Sequence, residues 1–464
     1  MTQTHDLAQK PISKLLLSFF IPAFIGVFIN ALYNIVDRIF IGNLVGADAL
    51  SGVSIIFPIM LAMTAFGMLL GIGGGILISI NLGRKDLTKA NQVLGTSFLL
   101  IVITATIITS IGMIYKESLL RMFGATDSTL NYANEYLSYI LLGTIFQLVG
   151  FSLNNIIRSE GNARIAMISM LMSAGCNILL DYILVYHLKM GVAGAAIATV
   201  VSMALLSAWV IFHFKSSRSV VSLKKKYIKL DFRLAKEIGN TGFPPFSMQL
   251  AGSIVQGLIT TQLVALGGDL AVGAMGVIIS ISMMIIMSMV AINMASQPIF
   301  GYNYGAMNYL RVKSCLVLSM SAATVIGILS FAIVQLFPHI LVDFFNNDSP
   351  ELIEISKKGL QIAMASLPII GFQIIIGNYY QSIGKSRIAT ILPLLRQVIV
   401  LTPLIFILPK FWGLNGVWLA MPISDAVAAI IVLFFIKKDW KRLNDLILDE
   451  KSKLALSPNP STDF

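Results

Sequence analysis

Asp37, Arg38, Asp181, Arg396 and Asp425 are ionisable residues set deep inside long apolar stretches of this chain. A charge at membrane depth is costly, and such residues as a rule pair with one another or mark an ion pathway. Two of the acids stand in polar rows at helical spacing. Asn30, Tyr33, Asn34 and Asp37 share one helix face, and Ser173, Asn177 and Asp181 share another. Desolvation disfavours the ionised form of a carboxyl group, and a second carboxylate nearby adds to the effect. Such a pair titrates as one unit. It can load a proton at one face and release it at the other, or hold Na⁺ among the surrounding oxygens.

The elements that carry these residues follow from composition. Of 464 residues, 56% are hydrophobic and 12% charged, with a mean hydropathy of +0.84. A soluble protein carries about twice that charge fraction, so a water-soluble fold, a disordered chain and a disulfide-rich module are excluded. The apolar runs are long and lack period-two alternation, which excludes an outer-membrane barrel. The two cysteines, Cys176 and Cys315, lie in apolar segments and make no disulfide framework. The polar start, Met1–Ser13, leads into an apolar run too long, and without a small-residue cleavage site, for a removable signal. A span needs roughly 20 apolar residues. Twelve are expected, at about 15–41, 50–80, 92–115, 132–156, 164–186, 191–214, 238–266, 271–300, 313–337, 352–379, 388–409 and 413–436. The expected class is all-α, a polytopic membrane protein of twelve helices in two pseudo-symmetric six-helix bundles.

The net charge of +11 is a topology signal. Of 33 Lys and Arg, 25 fall in the termini and even-numbered loops, and six in the odd-numbered loops. Positive residues stay in the cytoplasm, so both termini are expected there, in a multi-pass protein of the cell membrane. Basic loops also touch anionic lipid; nucleic acid is not an expected partner.

The halves repeat at an offset of 222. Pro22 matches Pro244, Gly46 Gly268, Asn81 Asn303, Gly83 Gly305 and Phe123 Phe345. With a one-residue slip, Ser159-x-Gly161 matches Ser382-x-Gly384, and the slip closes at Gly191/Gly413. Six spans per half is an even number, so the repeats are parallel and a binding cleft is expected between them. The division reads as lobe 1–214, basic linker 215–237, lobe 238–436 and tail 437–464.

Depth arithmetic draws the polar groups of the first lobe together. Asp37 and Asp181 lie ~8 Å below the outer ends of spans one and five, and Thr199 ~12 Å down span six. The expected coupling set is Asp37, Asp181, Asn177, Tyr33 and Thr199, with Na⁺, if used, at Asp37, Asp181, Asn177 and Thr199. At the repeat offset Asp37 becomes Ile259, so the second lobe lacks the set. Arg396 and Asp425 lie at similar depth and read as a structural ion pair. Arg38 reads as an interfacial anchor. Expected cleft or substrate residues are Asn30, Asn34, Asn154, Gln256, Asn293, Gln297 and Gln373. Pro22 sits inside span one as a candidate hinge, with a fixed kink as the alternative. Gly67, Gly71 and Gly75 let another helix approach span two closely. No Walker motif occurs, so an ion gradient rather than ATP is the expected drive.

The chain resembles the multidrug and toxic compound extrusion (MATE) family. The resemblance rests on Leu32-Tyr33-Asn34-Ile35-Val36-Asp37, Arg158-Ser159-Glu160-Gly161-Asn162, Asn177-Ile178-Leu179-Leu180-Asp181 and Gly191-Val192-x-Gly194-Ala195-Ala196-x-Ala198-Thr199. It implies an ion-coupled drug exporter of two six-helix lobes forming a V; a monomer without a cofactor is expected. In DinF-like members, positions matching Tyr33, Asp37, Asn177, Asp181 and Thr199 form the first lobe's cation site. NorM-type members carry acids in spans seven and ten. Here those spans offer Gln249, Gln256, Gln262 and Gln373, which points to the DinF-like branch and to coupling through the first lobe alone. The expected activity is H⁺-coupled antiport of bulky amphiphilic or cationic compounds by alternating access, with Na⁺ as the alternative ion. A lipid-linked oligosaccharide flippase is the competing transporter. An intramembrane aspartyl protease with Asp37 and Asp181 as its dyad is the competing enzyme.

Overall fold

The computed structural model describes residues 2–344 and 350–456. Among the described residues there is no strand, and eleven helices are long and apolar enough to cross a membrane. They are Ile12–Gly42, Ala49–Gly83, Leu87–Met122, Asp127–Ser159, Ala163–His187, Gly191–Lys215, Phe232–Gly268, Leu270–Gly305, Tyr309–Leu336, Ser386–Trp412 and Leu414–Glu450. Helices are what lipid demands, because each satisfies its own backbone groups. Their outward faces are apolar side chains such as Phe212 and Ile430, about 70% exposed, suited to acyl chains.

The tenth expected span is not one straight helix. It is Pro350–Ala363 followed by Leu367–Ser382, bent by 51°. Pro368 stands in the first turn of the second piece. A proline there lacks an N–H and its ring would clash with the carbonyl four residues back, so the helix restarts instead of continuing.

The backbone repeats the sequence symmetry. Gly46 and Gly268 both take positive φ, at 121° and 58°, and Gly191 and Gly413 take 59° and 53°. At the same offset Lys85 (61°) matches Met307 (58°). The next helix is capped alike in both halves: Asp86 accepts from the Lys89 N–H at 2.9 Å, and Asn308 from the Arg311 N–H at 3.3 Å. Phe345, matched to Phe123 in sequence, lies outside the described residues.

The chain divides into two compact units. One contains Ser18–Leu82 and Asp86–Leu250; the other contains Asp6–Leu17, Gly83–Lys85 and the chain from Ala251 onward. In the first unit the glycine row of Ala49–Gly83 meets Asp127–Ser159. A Cβ at Gly71 would stand 2.5 Å from Ser152 Cα, and one at Gly75 2.4 Å from Ser159 Oγ. The core here joins Ile56, Tyr136, Ile140, Val185 and Ala195. In the second unit the core gathers around Trp418, Leu360, Leu367 and Ile278.

One polar knot fastens the far end of Asp127–Ser159. Glu160 is fully buried. Its Oε1 accepts from Asn162 Nδ2 at 2.9 Å and pairs with His213 Nε2 at 2.5 Å. Its Oε2 accepts from Ser219 Oγ at 2.7 Å and from the Val220 and Val221 N–H groups at 3.0 and 3.3 Å. The segment leaving Gly191–Lys215 is thereby held to the bundle.

Candidate cation-coupling site

Four helices of the first unit converge on one polar locus. Ile12–Leu44 brings Tyr33 and Asp37, one turn apart. Ala163–Asp181 brings Ser173, Asn177 and Asp181 along one face. Gly191–Lys215 brings Thr199, Ser202 and Met203, and Asp127–Ser159 brings Tyr136. Asn177 Nδ2 donates to Thr199 Oγ1 at 3.4 Å, and Ser173 Oγ to the Ser202 carbonyl at 2.9 Å. A cavity of about 10 Å³ remains, lined by Tyr33, Ser173, Asn177, Thr199, Ser202 and Met203. That is near the lower limit for one water or a small ion.

Asp181 is 0% exposed and Asp37 8%. Asp37 lies close enough to Asp181 for the two carboxyl groups to interact electrostatically. Neither oxygen of Asp181, nor Oδ1 of Asn177, has a hydrogen-bond partner among the described residues. An ionised carboxylate cannot stay so placed without compensation. A proton or a monovalent cation could supply it, and the oxygens at hand suit either. The helix widens to a π turn at Tyr182–His187, directly after Asp181, an irregularity frequent at functional sites.

Tyr136 was not among the expected residues. It is 2% exposed and lies beside Thr199, Tyr33 and the two acids. Its signal was available in the sequence. It stands nine residues into Asp127–Ser159, ~13 Å at 1.5 Å per residue, the depth of Thr199. Removing its hydroxyl, in Tyr136→Phe, is expected to weaken the dependence of transport on the coupling cation about fivefold, one hydrogen bond's worth. Initial export rates against cation concentration check this.

The expected cleft residues differ in burial and partners. Asn154 is corrected: it is 4% exposed and spent inside the bundle. It donates to the Ala166 carbonyl and Ser169 Oγ at 2.9 and 2.8 Å and accepts from Arg158 at 2.8 Å. Gln373 is likewise engaged within its own unit, donating to the Asp425 carbonyl at 3.0 Å. Asn293, Gln256 and Gln297 are half-buried and Asn30 exposed. The side chains of Asn34 and Arg38 lie outside the described residues. Pro22 is buried within Ile12–Leu44. Arg396 Nη1 donates to Asp425 Oδ1 at 2.7 Å.

The sequence profile of the MatE family matches residues 22–183 and 244–407, one match in each repeat. The chain belongs to the MatE family. It is 29% identical over 454 residues to the multidrug export protein MepA of Staphylococcus haemolyticus, covering 98% of this chain and 99% of that one. Among solved structures, a MATE crystal structure in the bent conformation superposes with a TM-score of 0.90 at 26% identity, over 96% of this chain and 99% of the other. An outward-facing multidrug resistance MATE transporter of the MOP superfamily gives 0.88 at 26% identity, over 95% and 98%. Membership of the MatE family makes the chain a multi-span membrane transporter and sets the intramembrane protease aside.

Proposed function

We propose that this MatE protein exports bulky amphiphilic, often cationic, compounds in exchange for a cation, H⁺ before Na⁺, that binds at Asp37 and Asp181. The observation that carries the reading is Asp181, fully buried with both oxygens lacking a hydrogen-bond partner among the described residues, within reach of a second acid. Tyr33, Asn177 and Thr199 complete the oxygen set. Kinship with a multidrug export protein supports the substrate class. The Lys and Arg asymmetry supports cytoplasmic termini in the cell membrane, and the repeat supports lobes at 1–214 and 238–436. No cofactor enters this scheme, which needs only the drug, the ion and the surrounding lipid. A membrane potential adds ~2.3 kcal/mol per charge per 100 mV, enough for useful accumulation.

Proteoliposomes loaded with ethidium, given a pH gradient or a Na⁺ gradient separately, test this. Export is expected to accelerate under the pH gradient. Acceleration under Na⁺ alone moves the assignment to Na⁺ at the same oxygens, and indifference to both overturns the reading.

A further inference from the structure

The two units treat their buried carboxylates in opposite ways. In the first, both oxygens of Asp181 lack a hydrogen-bond partner among the described residues. In the second, Asp425 is 6% exposed and both oxygens are taken. Arg396 Nη1 donates to Oδ1 at 2.7 Å and Ser366 Oγ to Oδ2 at 2.6 Å. The backbones are tied too: Ser424 Oγ donates to the Arg396 carbonyl at 2.7 Å, and Gln373 Nε2 to the Asp425 carbonyl at 3.0 Å. Both donors to the carboxylate stand at irregular backbone. Arg396 lies in the π turn Leu395–Leu401, and Ser366 lies in the break that bends the tenth span. Such irregularities concentrate at functional sites. A buried ion pair by itself is a weak source of stability, since apolar residues of the same volume often serve as well. Two interrupted helices are more than gluing requires.

We infer that the Arg396 guanidinium is a tethered cation: it occupies the place at Asp425 where a free coupling cation would bind, and so confines cation exchange to the first unit. A guanidinium does not deprotonate in proteins and this one cannot diffuse away, so Asp425 neither loads nor releases a charge. Without it, the Asp425 carboxylate must recruit a proton or a small monovalent cation. Of the other charged groups on elements packed against the Asp425 helix, Glu351, Glu354, Lys357 and Lys358 of Pro350–Ala363, Arg387 and Lys410 make no ion pair with Asp425, and those of Tyr309–Leu336 are engaged elsewhere. Arg311 is engaged by the carbonyls of Leu7 and Lys10, and Lys313 by Asn444. The inference takes its meaning from the reading of the chain as cation-coupled, but its test does not use transport.

The full chain in detergent micelles is studied in an Asp37→Asn/Asp181→Asn background, where the first unit's acids cannot respond. Thermal unfolding is followed with NaCl in place of choline chloride, and at about pH 5.5 against about pH 8.5. Over that parent, Arg396→Gln is expected to gain at least about 2 °C of stabilisation by Na⁺ or by acid. Adding Asp425→Asn is expected to abolish the gain. A folded Arg396→Gln protein that responds no more than its parent overturns the inference, as does a gain that survives Asp425→Asn. Where Arg396→Gln yields no folded protein, Arg396→Gln/Asp425→Asn decides. Recovery of folded double variant supports charge compensation, and its absence shows that the pair acts by packing and overturns the inference. Failure of coupling in the first unit would show separately, as export indifferent to Asp181→Asn.

Discussion

Asp181→Asn protein is expected to lose gradient-driven export by at least about tenfold, the equivalent of 1.4 kcal/mol, while remaining folded. The amide keeps the shape of the carboxyl group and removes its ability to exchange a cation. Nothing in the surroundings depends on the charge for its hydrogen bonds, since neither Asp181 oxygen has a partner among the described residues. The fold should therefore survive where the coupling does not. Drug binding to purified protein, measured beside export from proteoliposomes, separates the two. Retained binding with lost export is the expected pattern; full export by the variant would remove Asp181 from the site.

Glu160→Ala is expected to cost about 3–5 kcal/mol, the range for removing one partner of a buried charged network. Five donors meet this carboxylate, from Asn162, His213, Ser219, Val220 and Val221. Truncation leaves two backbone N–H groups and the buried His213 ring without their acceptor. Thermal unfolding in micelles, with surface delivery of the protein in cells, reads the loss. A variant within about 1 kcal/mol of wild type, the size of one ordinary hydrogen bond, would show that the knot is incidental. The second half has no equivalent carboxylate, because Ile383 stands at the matching position. There Asp439 is used instead, accepting from the Tyr379 hydroxyl at 2.7 Å and pairing with Lys385.

Much of this architecture is legible in the residues. Lipid permits few solutions, so all but the tenth apolar run translate directly into one helix each, and the edges agree to within several residues except in the last, which runs on to Glu450 past the expected end at 436. Depth arithmetic also works, because a spanning helix converts residue number into height. That is why Tyr33, Asn177 and Thr199 could be grouped before any contact was known. What height does not give is azimuth. Asn154 was expected in the cleft, yet its face turns into the bundle toward Ala166 and Ser169. Tyr136 has the right height and the right face, but an aromatic in an apolar span looks like core until its partner Thr199 is seen. The Glu160–His213 contact joins residues 53 apart in sequence, and only packing fixes it. The bend in the tenth span was signalled by Pro368, although an apolar run reads as continuous through it.

On the proposed mechanism, Asp37 and Asp181 hold the cation that the drug displaces. The most direct measurement is cation release on drug binding. Ethidium is added to purified protein in weakly buffered, sodium-free micelles, with pH followed, and then in micelles equilibrated with radioactive Na⁺. Wild type is expected to release protons, or Na⁺ in the second arm, and Asp37→Asn/Asp181→Asn protein to bind drug and release neither. Equal release from the double variant, or drug binding by wild type with no cation released, would contradict the claim.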